Sequence, residues 1–379
     1  MTATPQDPFA EIRPYNDGEV PGVVVRLLDT PEFIDALTRF RFPKGHRWAG
    51  FLLRPLVRAV LRRELANVTT VEQMQRVIAG YMQRMIASTT ANLTYSGLER
   101  LQPDQAYLFI SNHRDIAMDP AFLNWGLVCH QIPTVRIAIG DNLLRKPYVS
   151  DLMRLNKSFI VKRSAKGVRE KLAALVELSS YINHSIAEGH SIWIAQREGR
   201  AKDGNDQTDP AILKMLYVSQ KKVASFTEAI KRLHIVPVAI SYEYDPCDAA
   251  KAHELQSLAA EGSYQKTRYE DIDSIVRGIT GYKGDVHVAF GEPLQGDYAT
   301  AEELAQAIDQ VIRGHYRLHG SNLMAVGDEE RVVADKRQAY QARRDAVPVA
   351  DREWFDCMYA NPVINQRNLQ GEPSDGTAR

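Results

Sequence analysis

A chain of 379 residues, 44% apolar and 25% charged, has the composition of a globular protein and is long enough for one large domain with additions or two modest ones. Lys plus Arg balances Asp plus Glu at 47 each, which excludes a global field drawing in nucleic acid or a polyanionic partner. Cys129, Cys247 and Cys357 stand far apart with no CxxC pair, which excludes a disulfide framework or a cysteine-held metal and fits a reducing cytoplasm.

In chain order, the opening MTATPQDPFAEIRPYNDGEV carries acidic residues and no apolar segment, so no secretory signal is expected. Arg39 to Arg63 reads RFRFPKGHRWAGFLLRPLVRAVLRR, with eight basic residues and no acid. Trp48, Phe51, Leu52, Leu56, Val60 and Leu61 recur there at roughly helical spacing. Such a helix either lies in a membrane interface or packs on its own domain with its arginines solvated or paired; the pattern fits both. Pro55 marks a kink or a fresh helix start. Val71 to Ser88 reads as an amphipathic helix capped by Thr69 or Thr70.

The pattern then changes. β-like runs appear at LTYSGL, AYLFI, VRIAIG, SFIVK, SIWIA, IVPVAISY and VHVAFG, separated by helical stretches such as GVREKLAALVELSSYINHSIAE and SFTEAIKRL. Helices are also expected over Thr300 to Leu318 and, charged and peripheral, over Glu329 to Arg344; the end QGEPSDGTAR reads as disordered. No run approaches the roughly eighteen apolar residues of a transmembrane helix. The expected fold class is α/β, a mixed sheet flanked by helices, with an N-terminal helical region to residue 92, an α/β domain over 93–320 and a C-terminal extension over 321–379.

In open α/β sheets, ligand sites gather where strands end. Four polar blocks sit at such ends: SNHRDIAMDP after AYLFI, KSFIVKR, REGRAKDG after SIWIAQ, and IVPVAISYE. Singly each has a plain structural reading. An acid six places after a histidine is common by chance, a Lys-Arg pair is usually solvated, an acid before glycine is usually a turn, and a proline in an apolar run usually marks a bent or edge strand.

Together and in this order, the blocks resemble those of the glycerolipid acyltransferases, the superfamily of glycerol-3-phosphate and lysophosphatidate acyltransferases. The resemblance covers residues 93 to about 292. It rests on His113 with Asp119, on Phe159 to Arg163, on Glu198-Gly199-Arg200, and on Pro237; the fourth block, ending in Tyr242 and Glu243, looks closer to the glycerol-3-phosphate branch. Two departures mark a divergent member. The family has four residues between histidine and aspartate where this chain has five, with Met118 at the family's position. The basic residue of the third block also follows its Glu-Gly pair one place early. An added residue is absorbed in a loop but turns a carboxylate about 100° in a helix, so Asp115 stays open as the partner of His113, behind Asp119.

The resemblance implies transfer of a fatty acyl group from a thioester, acyl-CoA or acyl carrier protein, to a hydroxyl of a glycerol-phosphate-type acceptor, in phospholipid synthesis. An alcohol of pKa near ~16 is a poor nucleophile at neutral pH, and a histidine near ~6.5 can take its proton and return it to the leaving thiolate. A carboxylate on the other ring nitrogen fixes the tautomer, the logic of the serine-protease triad with the substrate hydroxyl in place of serine. His113 is thus expected as base and Asp119 as its orienter. Arg163, Lys162, Arg200 and Lys202 are expected around the acceptor phosphate, with Glu198, Gly199 and Pro237 completing the substrate-binding set. Arg114 is either a local charge partner or a site residue. No cofactor and no metal are expected, and the partners are the donor, the acceptor and an anionic membrane surface, on the inner face of the cytoplasmic membrane. Two alternatives stay open: another lipid headgroup as acceptor, or an inactive relative that binds membrane or acyl carrier.

Overall fold

The computed structural model describes residues 7–42, 45–267 and 269–371. All seven expected strands form: β1 (Asn92–Ser96), β2 (Leu108–Ser111), β3 (Arg136–Gly140), β4 (Ser158–Val161), β5 (Ile192–Ala195), β6 (Ile235–Tyr242) and β7 (Asp285–Phe290). The fold class is α/β with a mixed sheet and flanking helices. The runs of β2 and β6 are buried along their whole length, as central strands covered on both faces should be. The tail expected to be disordered lies, from residue 372 on, outside the described residues, as do Pro43 and Lys44 of the basic stretch.

The chain forms two compact units whose limits differ from the expected boundaries at 92/93 and 320/321. The smaller joins residues 1–83 to 136–177 and the larger joins 84–135 to 178–379. In the smaller unit, the helix Val20–Asp29 turns Val20, Val23, Val24, Leu27 and Leu28 onto a core shared with Phe33, Ile34, Val68, Met74 and Leu155. Asp151 accepts from Tyr15 Oη at 2.6 Å and from Arg26 Nε at 2.7 Å, so residues far apart in sequence lock together. Here β3 and β4 pair in parallel, Ile137 opposite Ser158.

The basic stretch folds as the helix His46–Glu64 of this unit. Its break falls at Ala49 (φ −119°, ψ 16°) and the helix runs on past Pro55, in contrast to the kink or restart expected there. Trp48, Phe51, Leu52, Leu56 and Val60 are 88, 72, 61, 54 and 48% exposed, an apolar stripe facing outward. The arginines between them are ion-paired at the surface: Arg54 pairs with Asp35 at 2.5 Å, Arg58 pairs with Asp29, and Arg62 lies 3.8 Å from Asp29.

In the larger unit five strands run in the order β1-β7-β6-β2-β5. All neighbours are parallel except β6 and β7, which makes this a mixed sheet. Pro237 opposes Ile110 in a central strand, where a bent or edge position is its usual reading. The ladder with β7 ends at Val238–Phe290, so the missing N–H of Pro237 falls at the end of that ladder while its carbonyl still accepts from Gly291 N at 2.8 Å. The C-terminal extension is helical, and the charged helix begins later than expected, at Ala334–Asp345, before a last helix over Arg352–Gln370.

Candidate active site

The strand β2 ends because Asn112 replaces its ladder with side-chain bonds. Its Nδ2 donates to Ile240 O at 2.9 Å and its Oδ1 accepts from Ile240 N at 2.8 Å, both on β6. That clamp delivers His113 at the carboxyl end of a strand flanked by β5 and β6, where α/β sheets place ligands. The His113 ring sits edge-on to buried Trp193, centroids 5.7 Å apart, and its side chain is 14% exposed. Trp193 is itself pinned, donating from Nε1 to Ser111 Oγ at 2.9 Å.

Asp119 lies in the first turn of the helix Met118–Cys129 and is fully buried. Its Oδ2 is 2.8 Å from His113 Nδ1 and accepts from the backbone N–H of Arg114 at 2.6 Å and of Asp115 at 3.0 Å. Its Oδ1 accepts from Tyr242 Oη at 2.7 Å. Four donors hold one carboxylate, so Nδ1 keeps its proton and Nε2 presents a lone pair. No hydrogen bond from a described residue reaches Nε2. The extra residue between His113 and Asp119 sits in the loop 114–117, ahead of the helix, where the chain absorbs it.

Asp115 does different work. Its Oδ1 accepts from Ala117 N at 2.9 Å and Met118 N at 2.8 Å, capping that helix. Burial first, then the nearby Asp119 charge, push its carboxyl up to about 6. Folding therefore favours protonated Asp115, and the ionised form costs stability, a cost absent below about pH 4 and complete above about pH 6. Asp115→Asn keeps the cap acceptor and removes the charge. Its melting temperature should exceed wild type at pH 7, with a gain of at most about 3 kcal/mol, and the difference should vanish near pH 4. A gain equal at both pH values would contradict the buried-charge assignment.

Arg114 is a charge partner: 4% exposed, it pairs with buried Asp206 at 2.7 Å. Asn112 Nδ2 also reaches Asp206, at 3.2 Å. Below the motif, buried Lys251 donates to Arg114 O at 2.7 Å and pairs with Asp245. Sequence reading missed Asn112, Asp206 and Lys251, and placed Tyr242 only as the end of a block; a buried polar residue beside a motif histidine is the signal for Asn112 alone. Cys247 cannot serve as a thiolate, since burial and Asp245 push its thiol up to about 11.

The other expected residues divide by unit. Glu198, Gly199, Arg200 and Lys202 lie on the loop after β5, and Ala201 N donates to His113 O at 2.8 Å, which ties that loop to the histidine. Gly199 has φ +76°, a left-handed conformation that favours glycine. Glu198 is exposed, and Arg200 donates to Ser274 Oγ at 3.3 Å. Lys202 is taken up by Glu254 at 2.9 Å. Lys162 and Arg163, at the end of β4, belong to the smaller unit; Lys162 is held by Glu11 and Glu177, each at 3.0 Å, and Arg163 N donates to Asp141 at 3.1 Å.

Residues 92–241, from the first residue of β1 to the penultimate residue of β6, match the family model described as Acyltransferase. The matched stretch is under half of the chain. The match contains His113, Asp119 and the loop after β5, and it leaves out the C-terminal extension. Among solved structures, the 1-acyl-sn-glycerophosphate (LPA) acyltransferase PlsC from Thermotoga maritima is similar at 16% identity, over 74% of this chain and 92% of that one, with a TM-score of 0.39. No curated protein matches the chain.

Proposed function

We propose that the acyltransferase domain moves a fatty acyl group from acyl-CoA or an acyl carrier protein thioester to a hydroxyl of a glycerol-phosphate-type acceptor. The observation that carries this reading is His113, its Nδ1 bound to a four-times-held carboxylate and its Nε2 unengaged. Nε2 takes the hydroxyl proton as the acceptor oxygen attacks the thioester carbonyl. The tetrahedral intermediate collapses, the C–S bond breaks, and the thiolate leaves with the proton from Nε2. Asp119 stabilises the imidazolium between the two transfers. Arg200, on the loop tied to His113, offers a guanidinium to the phosphate; the ion pair to Glu254 makes Lys202 a weaker candidate. No protein nucleophile takes part. Thiol release from acyl-CoA should therefore require acceptor and show no burst without it. A stoichiometric burst in the absence of acceptor would mean an acyl-enzyme and would sink this scheme.

The reading includes peripheral attachment to the inner face of the cytoplasmic membrane, since acyl chains partition into bilayers. Among the described residues no helix is long and apolar enough to cross a membrane. The outward stripe from Trp48 to Val60 supports attachment by insertion, with the basic residues secondary because Arg54 and Arg58 are engaged by Asp35 and Asp29. Each basic residue near an anionic surface adds ~1 kcal/mol, and burying a Trp or Phe side chain adds about 2–3. The protein should pellet with phosphatidylglycerol vesicles at low salt and less at high salt or with phosphatidylcholine. Trp48→Ala with Phe51→Ala should weaken pelleting at least tenfold while leaving turnover of a short, soluble acyl donor intact. Wild type ignoring phosphatidylglycerol vesicles at low salt would remove the membrane claim and leave the chemistry standing.

A further inference from the structure

The loop from Glu198 to Asp206 has no helix or strand of its own, so whatever grips it sets where Arg200 stands relative to His113. On one side it is held by the parts already described: His113 O, Ser274 and Glu254. On the other side lies the last helix, Arg352–Gln370, outside the matched domain.

That helix has an unusual internal residue, Pro362. A proline four places on gives no N–H to the carbonyl of Met358. Gly204 is the residue that comes up against that carbonyl. A Cβ on Gly204 would stand 2.1 Å from Met358 O, and its φ is +77°, so both the approach and the backbone require glycine. One residue before Pro362, Asn361 donates from Nδ2 to Asp203 O at 2.7 Å, and one turn on Asn365 Nδ2 lies 3.4 Å from Asn205 Oδ1. Three consecutive loop residues, 203 to 205, thus meet one face of the helix. The loop passes the constraint inward: Arg114 Nη2 reaches Gly204 O at 3.3 Å and pairs with Asp206, and Arg114 is the neighbour of His113.

The helix can bear this role because it is fixed itself. Phe355, Met358 and Tyr359 are buried, Tyr359 Oη donates to Asp248 at 2.9 Å, and Tyr359 O accepts from Asn322 Nδ2 at 2.9 Å.

We infer that the C-terminal helix is the brace that sets the acceptor loop against His113, with Asn361 as its positioning residue and the Pro362–Gly204 fit as its register mark. The functional half of this inference rests on the acceptor reading above; the docking half does not.

The test uses the full chain with Asn361→Ala, Asn361→Gln and, as control, Asn368→Ala at an exposed position of the same helix. Acyl-CoA is the donor and glycerol 3-phosphate or a 1-acylglycerol 3-phosphate the acceptor. Asn361→Ala should raise the acceptor KM about tenfold, the scale of one lost hydrogen bond, with kcat and donor KM close to wild type. Asn361→Gln, which keeps an amide donor, should recover part of the loss, and Asn368→Ala should change nothing. Hydrogen exchange over residues 198–206 should quicken in Asn361→Ala, with β6 unchanged. Unchanged exchange over 198–206 overturns the docking. Faster exchange with acceptor KM unmoved, or a fall in kcat alone, overturns the positioning role. Should wild type turn over neither acceptor, the acceptor reading falls, and exchange alone then decides the brace.

Discussion

Replacing His113 with alanine should abolish acyl transfer while the protein stays folded. Among the described residues the ring makes one hydrogen bond, to Asp119, which keeps two backbone donors and Tyr242 when the ring is gone. Stability should therefore fall by no more than a partly buried side chain costs, and a circular-dichroism melt should remain cooperative. Activity should fall by ~10²–10⁴ or more, because the base acts only as the hydroxyl is deprotonated, and a hydroxyl without it is nearly inert at neutral pH. Initial rates of thiol release in the presence of acceptor measure this. A variant that kept a tenth of the wild-type rate would show that His113 is not the base.

The second large effect separates two aspartates. In Asp119→Asn, an amide oxygen in the place of Oδ2 still accepts from the N–H groups of Arg114 and Asp115 and from His113 Nδ1, which leaves the NH₂ facing Tyr242 Oη. Nδ1 keeps an acceptor, but the negative charge that stabilises the imidazolium is gone, at a cost on the order of 10²–10⁴ in kcat. Asp115→Asn keeps its capping bonds to Ala117 and Met118 through Oδ1 and should lose only a few-fold. The ranking by kcat is the readout. Equal losses would mean that the loop geometry, and not the carboxylate charge beside His113, carries the effect.

Much of the sheet was legible because runs such as AYLFI and IVPVAISY combine β-branched residues with lengths typical of buried strands. The pairing of His113 with a carboxylate was legible as a motif; the choice of Asp119 over Asp115 was not, since only the position of the helix start decides which oxygen faces Nδ1. Charge was the least legible property. Lys162 and Lys202 read as cations for the acceptor phosphate, and Arg54 and Arg58 as either solvated or paired, until Glu177, Glu254, Asp35 and Asp29 come beside them from elsewhere in the chain. The unit boundaries escaped for the same reason. Nothing local says that Asp151 will take both Tyr15 and Arg26, so residues 136–177 read as part of one continuous α/β domain. Pro55 and Pro362 show the limit of proline as a signal, since one sits in a helix that bends elsewhere and the other frees a carbonyl that a loop then meets.

The central claim, transfer to a hydroxyl of a phosphate-bearing glycerol acceptor by a histidine base, is tested most directly by the mass of the product. Purified protein is given acyl-CoA or acyl carrier protein donors and a panel of acceptors: glycerol 3-phosphate, a 1-acylglycerol 3-phosphate, the same molecules without phosphate, and other lipid headgroups. The account predicts an acylated product from a phosphate-bearing glycerol acceptor, and little from its dephosphorylated twin. Product from the twin at an equal rate, or acylation of another headgroup alone, would contradict it.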